Sequence, residues 1–282
     1  VRDPGSELWP TCIVVEGDAQ ELPDSVAVEE PLEIRVGGQP LVVTMRTPGQ
    51  DEELTAGWLY SEGLLACRED LLELRGGPAD AGSCSDPIRE DNIAVVRLRD
   101  ERAVDAARTT RSFLSSAACG VCGKSAIEHV FARGLPALEP GRPRLDRAWL
   151  EALPERMRAA QRVFSRTGGL HAAGLFTANG ALVALREDVG RHNAVDKVLG
   201  ERLLAGALTA DADSLSDSLL LLSGRVGFEI AQKAARAGIP VLAAVGAPSS
   251  LALRVAERVG MTVIGFLRPG RFNVYTGSDR VL

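Results

Sequence analysis

The sequence predicts a mixed α/β protein, with a small N-terminal α/β domain over residues 21–110 and a larger C-terminal domain over residues 111–282. Three observations support this. The first part of the chain holds β-branched runs split by glycine turns, the signature of hairpins. The last third alternates short apolar strands with amphipathic helical stretches, the signature of a parallel sheet. Finally, 45% of the 282 residues are hydrophobic, enough for a chain of this length to bury a real core.

Taken in order, Val26-Ala27-Val28, Leu32–Val36 and Leu41–Met45 read as strands, the last two joined by a Gly37-Gly38 turn. Pro48-Gly49 breaks the strand, and Asp51-Glu52-Glu53 places acid in the first turn of a helix reaching Ser61. Leu54 and Trp58 share one face of that helix, and Gly63 ends it. Residues 76–92 read as loop and Asn92–Leu98 as a strand. A helix starts near Asp146, and 171–177 with 181–185 form a hairpin around Asn179-Gly180, followed by a helix from Gly190 to Leu204.

The remainder reads as strand 219–222, helix 226–237, strand 241–245, helix 249–259 and strand 262–267. Such a βαβαβ run implies parallel strands with right-handed crossovers. The loops Ser223-Gly224-Arg225, Gly246–Ser249 and Arg268-Pro269-Gly270-Arg271 then leave the same sheet edge, where α/β folds place ligands.

Composition removes several function classes. A net charge of −6 offers no global basic field for nucleic acid or anionic lipid, so an anion site has to be local. No stretch approaches the roughly 18 consecutive apolar residues of a membrane span. The start, Val1–Gly5, lacks an apolar signal core, so a soluble cytoplasmic protein is expected. Five irregularly spaced cysteines, an odd number, argue against a secreted disulfide framework.

Only Cys119 and Cys122 form a motif, Cys119-Gly120-Val121-Cys122-Gly123-Lys124, ahead of a helical stretch from Ser125 to Ala132. A helix N-terminus and the Lys124 ammonium both favour thiolate there, and the flanking glycines leave the sulfurs reachable. The pair alone leaves four chemistries open: zinc binding, thioredoxin-like redox exchange, a structural role, and sulfur transfer. Zinc would need two further ligands, yet His129, His171, His192 and the other cysteines stand alone in sequence, and no H-x-E signature occurs. No metal site is expected.

Five segments together carry a resemblance. They are Thr47-Pro48-Gly49 with Leu54 and Ser61-Glu62-Gly63, the cysteine motif, Gly168–Ala173, Arg186–Lys197, and Gly265–Tyr275. In this order they resemble the FdhD family, over roughly residues 28–276; residues 1–20 fall outside the resemblance. The resemblance implies a cytidine-deaminase-like, three-layer larger domain and a homodimer. It also implies a sulfurtransferase for formate dehydrogenase: persulfide sulfur arrives from a cysteine desulfurase on the C-x-x-C motif and passes to a bis-molybdopterin guanine dinucleotide molybdenum cofactor. Cys119 is expected to bear the persulfide, with Cys122 stabilising or resolving it, since the first cysteine of such a motif is usually the more exposed nucleophile. A cofactor-binding chaperone with structural cysteines and a deaminase-like hydrolase are the rival readings.

The expected cofactor grip is Phe266-Leu267-Arg268-Pro269-Gly270-Arg271, with guanosine diphosphate (GDP) as a partial mimic of the ligand. Two arginines suit phosphate, the Pro-Gly turn aims them together, and an aromatic ring packs on a planar base. Ser223, Arg225, Ser249 and His192 stand at neighbouring helix starts and complete the set. The plain alternative is a surface turn with solvated arginines; likewise Arg191 and His192, in the first turn after Glu187-Asp188, read either as a polar cap and a surface histidine or as ligands, His171 reads as structural or functional alike, and Asp196 and Lys197 read as charges on a helix face. One consequence is measurable from the motif alone: Cys119 should react with a small alkylating reagent with an apparent pKa below the free-cysteine value of about 8.5, and a value at or above it contradicts the electrostatic argument.

Overall fold

The computed structural model describes residues 4–76, 92–102, 104, 135–209 and 215–282, so the Cys119/Cys122 motif, the Ser125–Ala132 stretch and most of the loop read over 76–92 lie outside the described residues. The chain opens on a hairpin that the sequence reading did not place. Strands β1 (Ser6–Val15) and β2 (Asp18–Ala27) pair antiparallel through a Glu16-Gly17 turn, both residues at positive φ. Such a two-residue turn matches the strand twist. Val26 and Ala27, read as part of a short strand, are its end.

A four-stranded sheet follows, in the order β4-β3-β6-β5. Strands β3 (Glu30–Val36) and β4 (Gln39–Arg46) are joined by Gly37-Gly38, as the glycine pair predicts, with both residues left-handed. Strand β6 (Ile93–Leu98) runs parallel to β3, and β5 (Leu71–Arg75), absent from the sequence reading, closes the sheet. Alternation directs Leu32, Ile34, Val36, Ala94, Val96 and Leu98 into the core.

The larger sheet has six strands in the order β12-β11-β10-β9-β7-β8. The predicted hairpin is β7 (His171–Thr177) with β8 (Leu182–Asp188), and β9 (Ser218–Leu222), β10 (Val241–Ala244) and β11 (Thr262–Arg268) are the three parallel strands. The chain then turns back at Pro269-Gly270 into β12 (Arg271–Thr276), antiparallel to β11. Every residue of β9 is buried, because both faces are covered. Leu219 and Leu221 face one cluster, with Leu150, Leu153 and Met157 of the helix Arg147–Ala160; Leu220 and Leu222 face the other, with the helices Arg191–Leu204, Phe228–Arg236 and Ser250–Val259.

In chain order the helices named here are α1 (Asp51–Ser61), α2 (Arg147–Ala160), α3 (Arg191–Leu204), α4 (Phe228–Arg236) and α5 (Ser250–Val259). Helix α2 starts as its sequence suggests: the Asp146 carboxylate accepts the Trp149 N–H at 2.9 Å. Helix α1 lies between the two sheets, and one hydrophobic cluster runs from the four-stranded sheet through α1 and α3 to the six-stranded sheet.

The α1–α3 crossing is unusually close. A Cβ on Gly57 would stand 1.8 Å from the Asp196 carbonyl oxygen, and a Cβ on Gly200 would stand 1.8 Å from that of Glu53. Backbone meets backbone there, which only glycine permits.

Buried charges lock the same junction. Asp188, fully buried, accepts the Thr47 N–H at 3.1 Å, the Gly190 N–H at 2.8 Å and the Asn193 side-chain amide at 3.1 Å, and pairs with Lys197 at 2.7 Å. Lys197 also donates to the Thr47 carbonyl at 2.8 Å. Asp196 accepts from the Ser61 hydroxyl at 2.7 Å and pairs with Lys233. The reading of Asp196 and Lys197 as helix-face charges is therefore corrected: both are buried, and each has a partner contributed by another element.

Nearby, Arg46 is 0% exposed and holds Asp51 through two hydrogen bonds, of 2.8 and 2.9 Å, together with Asn92 at 2.8 Å. Asp51 thus does more than favour the helix dipole; it fixes the start of α1 to Arg46 of β4, which also holds Asn92 just ahead of β6.

Gly57→Ala tests the crossing. Overpacking two backbones costs about 3 kcal/mol, of which the better helix propensity of alanine returns about 1, so urea denaturation should show a net loss of about 2 kcal/mol or more. Parent-like stability would contradict the packing.

Candidate functional site

The topology brings the chemistry to one sheet edge. Strands β9, β10 and β11 end there, and β7, antiparallel to β9, begins there with His171. His171 in turn sits opposite Asp188 at the end of β8, which leads directly into α3. The loops after β9 and β10 are tied together: the Gly246 N–H donates to the Gly224 carbonyl at 3.1 Å and the Val226 N–H to the Ala247 carbonyl at 3.1 Å. Together they make a continuous floor.

At one end of this edge, β11 departs from regular geometry. Phe266 has φ 53°, a conformation that costs a bulky residue on the order of 1–3 kcal/mol and persists only where the surroundings impose it. Its N–H donates to the Gly246 carbonyl at 3.1 Å, and the residue is 42% exposed while Leu267 is buried. Val245, Phe266, Leu267, Arg268 and Arg271 line a cavity of about 410 Å³, within the range of small-ligand pockets.

The Pro269-Gly270 turn above it is braced, since the Gly270 N–H donates to the Glu151 carboxylate of α2 at 2.9 Å. Arg268 and Arg271 make no ion pair or side-chain hydrogen bond among the described residues, in a chain where most other arginines do. The structure thus brings Phe266, Leu267, Arg268 and Arg271 into one lining, while Pro269 and Gly270 form the turn between the two arginines.

At the other end stand His171, Arg191, His192, Arg225 and Glu229. His192 Nε2 lies 3.3 Å from Glu229 Oε2. Burial first, then the charges of Lys233 and Arg191 and the neighbouring His171, push His192 down to about 3, so the ring is neutral and the contact is a polar one, not an ion pair. His171 is shifted downward too, by burial and then by Arg191. Burial raises the Glu229 carboxyl, against the pull of Lys233.

The two predicted serines have structural partners. Ser223 Oγ accepts the Ala172 N–H at 2.8 Å, and Ser249 Oγ caps α5 by accepting the Ala252 N–H at 3.3 Å. Their hydroxyl protons stay available to a ligand, and Arg225 is exposed beside Ser223. Sequence reasoning left Arg191, His192 and His171 open between structural and ligand roles and did not name Glu229; the signal that groups them is their place at the ends of adjoining elements on the shared edge. Among the described residues no group of three or more His, Cys, Asp or Glu is placed to hold a metal ion.

Comparison with known proteins places this geometry. The model of the FdhD/NarQ family matches residues 27–282. The chain belongs to this family. A sulfur carrier protein FdhD from Mycolicibacterium paratuberculosis is 48% identical over 269 residues, covering 94% of each chain. One from Anaeromyxobacter dehalogenans is 48% identical over 265 residues, covering 92% of this chain and 88% of its own. A crystal structure described as a formate dehydrogenase accessory protein, from Desulfotalea psychrophila, superposes with TM-score 0.73 at 28% identity, over 99% of this chain and 100% of that one. The family match begins at the last residue of β2, so the hairpin arm lies outside it. No helix among the described residues is long and apolar enough to cross a membrane.

The neutral His192 sets a pH dependence. Its value of about 3 lies below the unfolded value of about 6.5, so between these limits the unfolded chain binds more protons. This contribution is complete above pH 6.5 and is lost as pH falls toward 3, by up to about 1.4 kcal/mol per pH unit. Between pH 7 and 5 the parent should therefore lose roughly 2 kcal/mol more than His192→Gln in denaturant titrations. Equal losses would mean that the ring is not held neutral.

Proposed function

We propose that this protein is a sulfur carrier that serves a formate dehydrogenase, accepting persulfide sulfur from a cysteine desulfurase and passing it to a bis-molybdopterin guanine dinucleotide cofactor. The observation that carries the reading is the Phe266–Arg271 lining: an exposed aromatic ring and two unpaired arginines around a cavity of about 410 Å³, in a chain closely similar to proteins named sulfur carriers. Phe266 packs on the guanine base, Arg268 and Arg271 hold phosphate oxygens, and Ser223, Arg225, Ser249 and His192 supply further polar groups along the edge. The larger domain, on this reading, follows the cytidine-deaminase plan, with hairpin β7–β8, helix α3 and the β9-α4-β10-α5-β11 run as its sheet and one helical layer.

In the loading step the Cys119 thiolate attacks the outer sulfur of the donor persulfide. The donor's S–S bond breaks, its thiolate leaves, and Cys119 carries the persulfide; Cys122 stabilises or resolves it. The protein works as a homodimer in the cytoplasm.

Two measurements check the assignment. After incubation with cysteine and a desulfurase, mass mapping should find one added sulfur atom on Cys119; loading on Cys122 alone would reverse the roles. Cys119→Ser should abolish activation of formate dehydrogenase while leaving GDP affinity unchanged, whereas retained activation would favour a cofactor-binding chaperone without sulfur chemistry.

A further inference from the structure

The Phe266–Arg271 cavity occupies only one end of the sheet edge. Three strand spacings away, about 14 Å along the order β11-β10-β9-β7, lies the polar set around Arg191. Its chemistry is unlike a settled structural cluster. Arg191 Nε is buried and has no hydrogen-bond partner. A guanidinium donor closed off from water and left without an acceptor is rare in folded proteins, and a missing ligand is one of its ordinary causes.

The surrounding charges leave the excess positive. Among the facing groups, Asp188 is paired with Lys197 and Asp196 with Lys233, while Arg191 and Arg225, without an ion pair among the described residues, face the one remaining carboxyl, Glu229, whose neighbour His192 is neutral. His171 and His192 are both pushed toward the neutral imidazole, which carries one N–H donor; His192 Nε2 lies against Glu229, whereas His171 has no hydrogen-bond partner for its ring among the described residues. The Gly224 backbone approaches His171 so closely that a Cβ there would stand 3.2 Å from Nδ1, which brings the loop bearing Arg225 against the imidazole.

We infer that Arg191, Arg225, His171 and His192 form an anion subsite, separate from the Phe266–Arg271 cavity, that takes a phosphate or diphosphate group. Two guanidiniums match a group that carries more than one negative charge and offers several oxygens, the His171 N–H adds a directional donor, and His192, against Glu229, borders the subsite. The subsite rests on the proposed function only for the identity of its physiological ligand: an extended dinucleotide cofactor would lie across both ends of the edge.

Inorganic pyrophosphate is the probe, titrated calorimetrically into Arg271→Ala so that the first cavity contributes little. Pyrophosphate should still bind this variant, and adding Arg191→Gln or Arg225→Gln should each weaken it by about tenfold or more. Arg225 is exposed, so its substitution leaves the fold intact even if loss of the partly buried Arg191 does not. No binding to Arg271→Ala, or binding that Arg225→Gln leaves unchanged, would overturn the subsite. Pyrophosphate binding that depends on Arg225, in a protein that neither binds GDP nor activates formate dehydrogenase, would keep the subsite and overturn the proposed function.

Discussion

Backbone contact between α1 and α3 at Gly57 and Gly200 is the constraint on which the rest of the structure depends. Because the two helices meet without intervening side chains, the 45–47 strand end is drawn against the start of α3. There Asp188 gathers four donors and Lys197 is sealed between Asp188 and the Thr47 carbonyl. Removing one member of such a buried pair typically costs about 3–5 kcal/mol, since it leaves an uncompensated charge. The crossing therefore requires the network and the network holds the crossing. Their joint consequence is functional: Asp188 ends β8 and α3 begins three residues later, so Arg191 and His192 are delivered to the sheet edge in a defined position.

Much of this could be read from the sequence, and the exceptions have physical causes. The βαβαβ run, the Gly37-Gly38 and Asn179-Gly180 hairpins and the shared edge all follow from local periodicity and turn chemistry, which act over a few residues. The β1–β2 arm escaped because Glu16-Gly17 is not a common turn pair and because Pro10 and Pro23 interrupt both strands. In the register these prolines oppose each other, and counting pairs outward from the two-residue turn places them at a non-hydrogen-bonded pair. Their nitrogens therefore face the outer edges, where proline is tolerated and discourages further strand pairing. Asp196 and Lys197 were misread because periodicity treats a charge as a solvent marker, whereas their partners Ser61, Lys233, Asp188 and Thr47 all lie outside the helix that carries them.

Of the candidate site, the Phe266–Arg271 stretch was legible from the strand-end position and residue types. Its geometry was not, because the left-handed Phe266 follows from β11 bulging against β12 while its N–H is held by Gly246. The edge also reconciles a net charge of −6 with the anionic ligand proposed. Many arginines elsewhere among the described residues are consumed internally, as with Arg46 on Asp51 and Arg186 on Glu53. At the edge Arg191, Arg225, Arg268 and Arg271 are left without carboxylate partners among the described residues, so the local field is positive where the fold opens.

We propose that the end of β11 holds a guanine nucleotide through its two arginines. Calorimetric titration of GDP into the parent and into Arg271→Ala tests it most directly. Loss of one charged hydrogen bond predicts a fall in affinity of about ten- to a hundredfold in a variant with parent-like stability. Unchanged affinity in a folded Arg271→Ala protein would contradict the account and move the nucleotide site elsewhere.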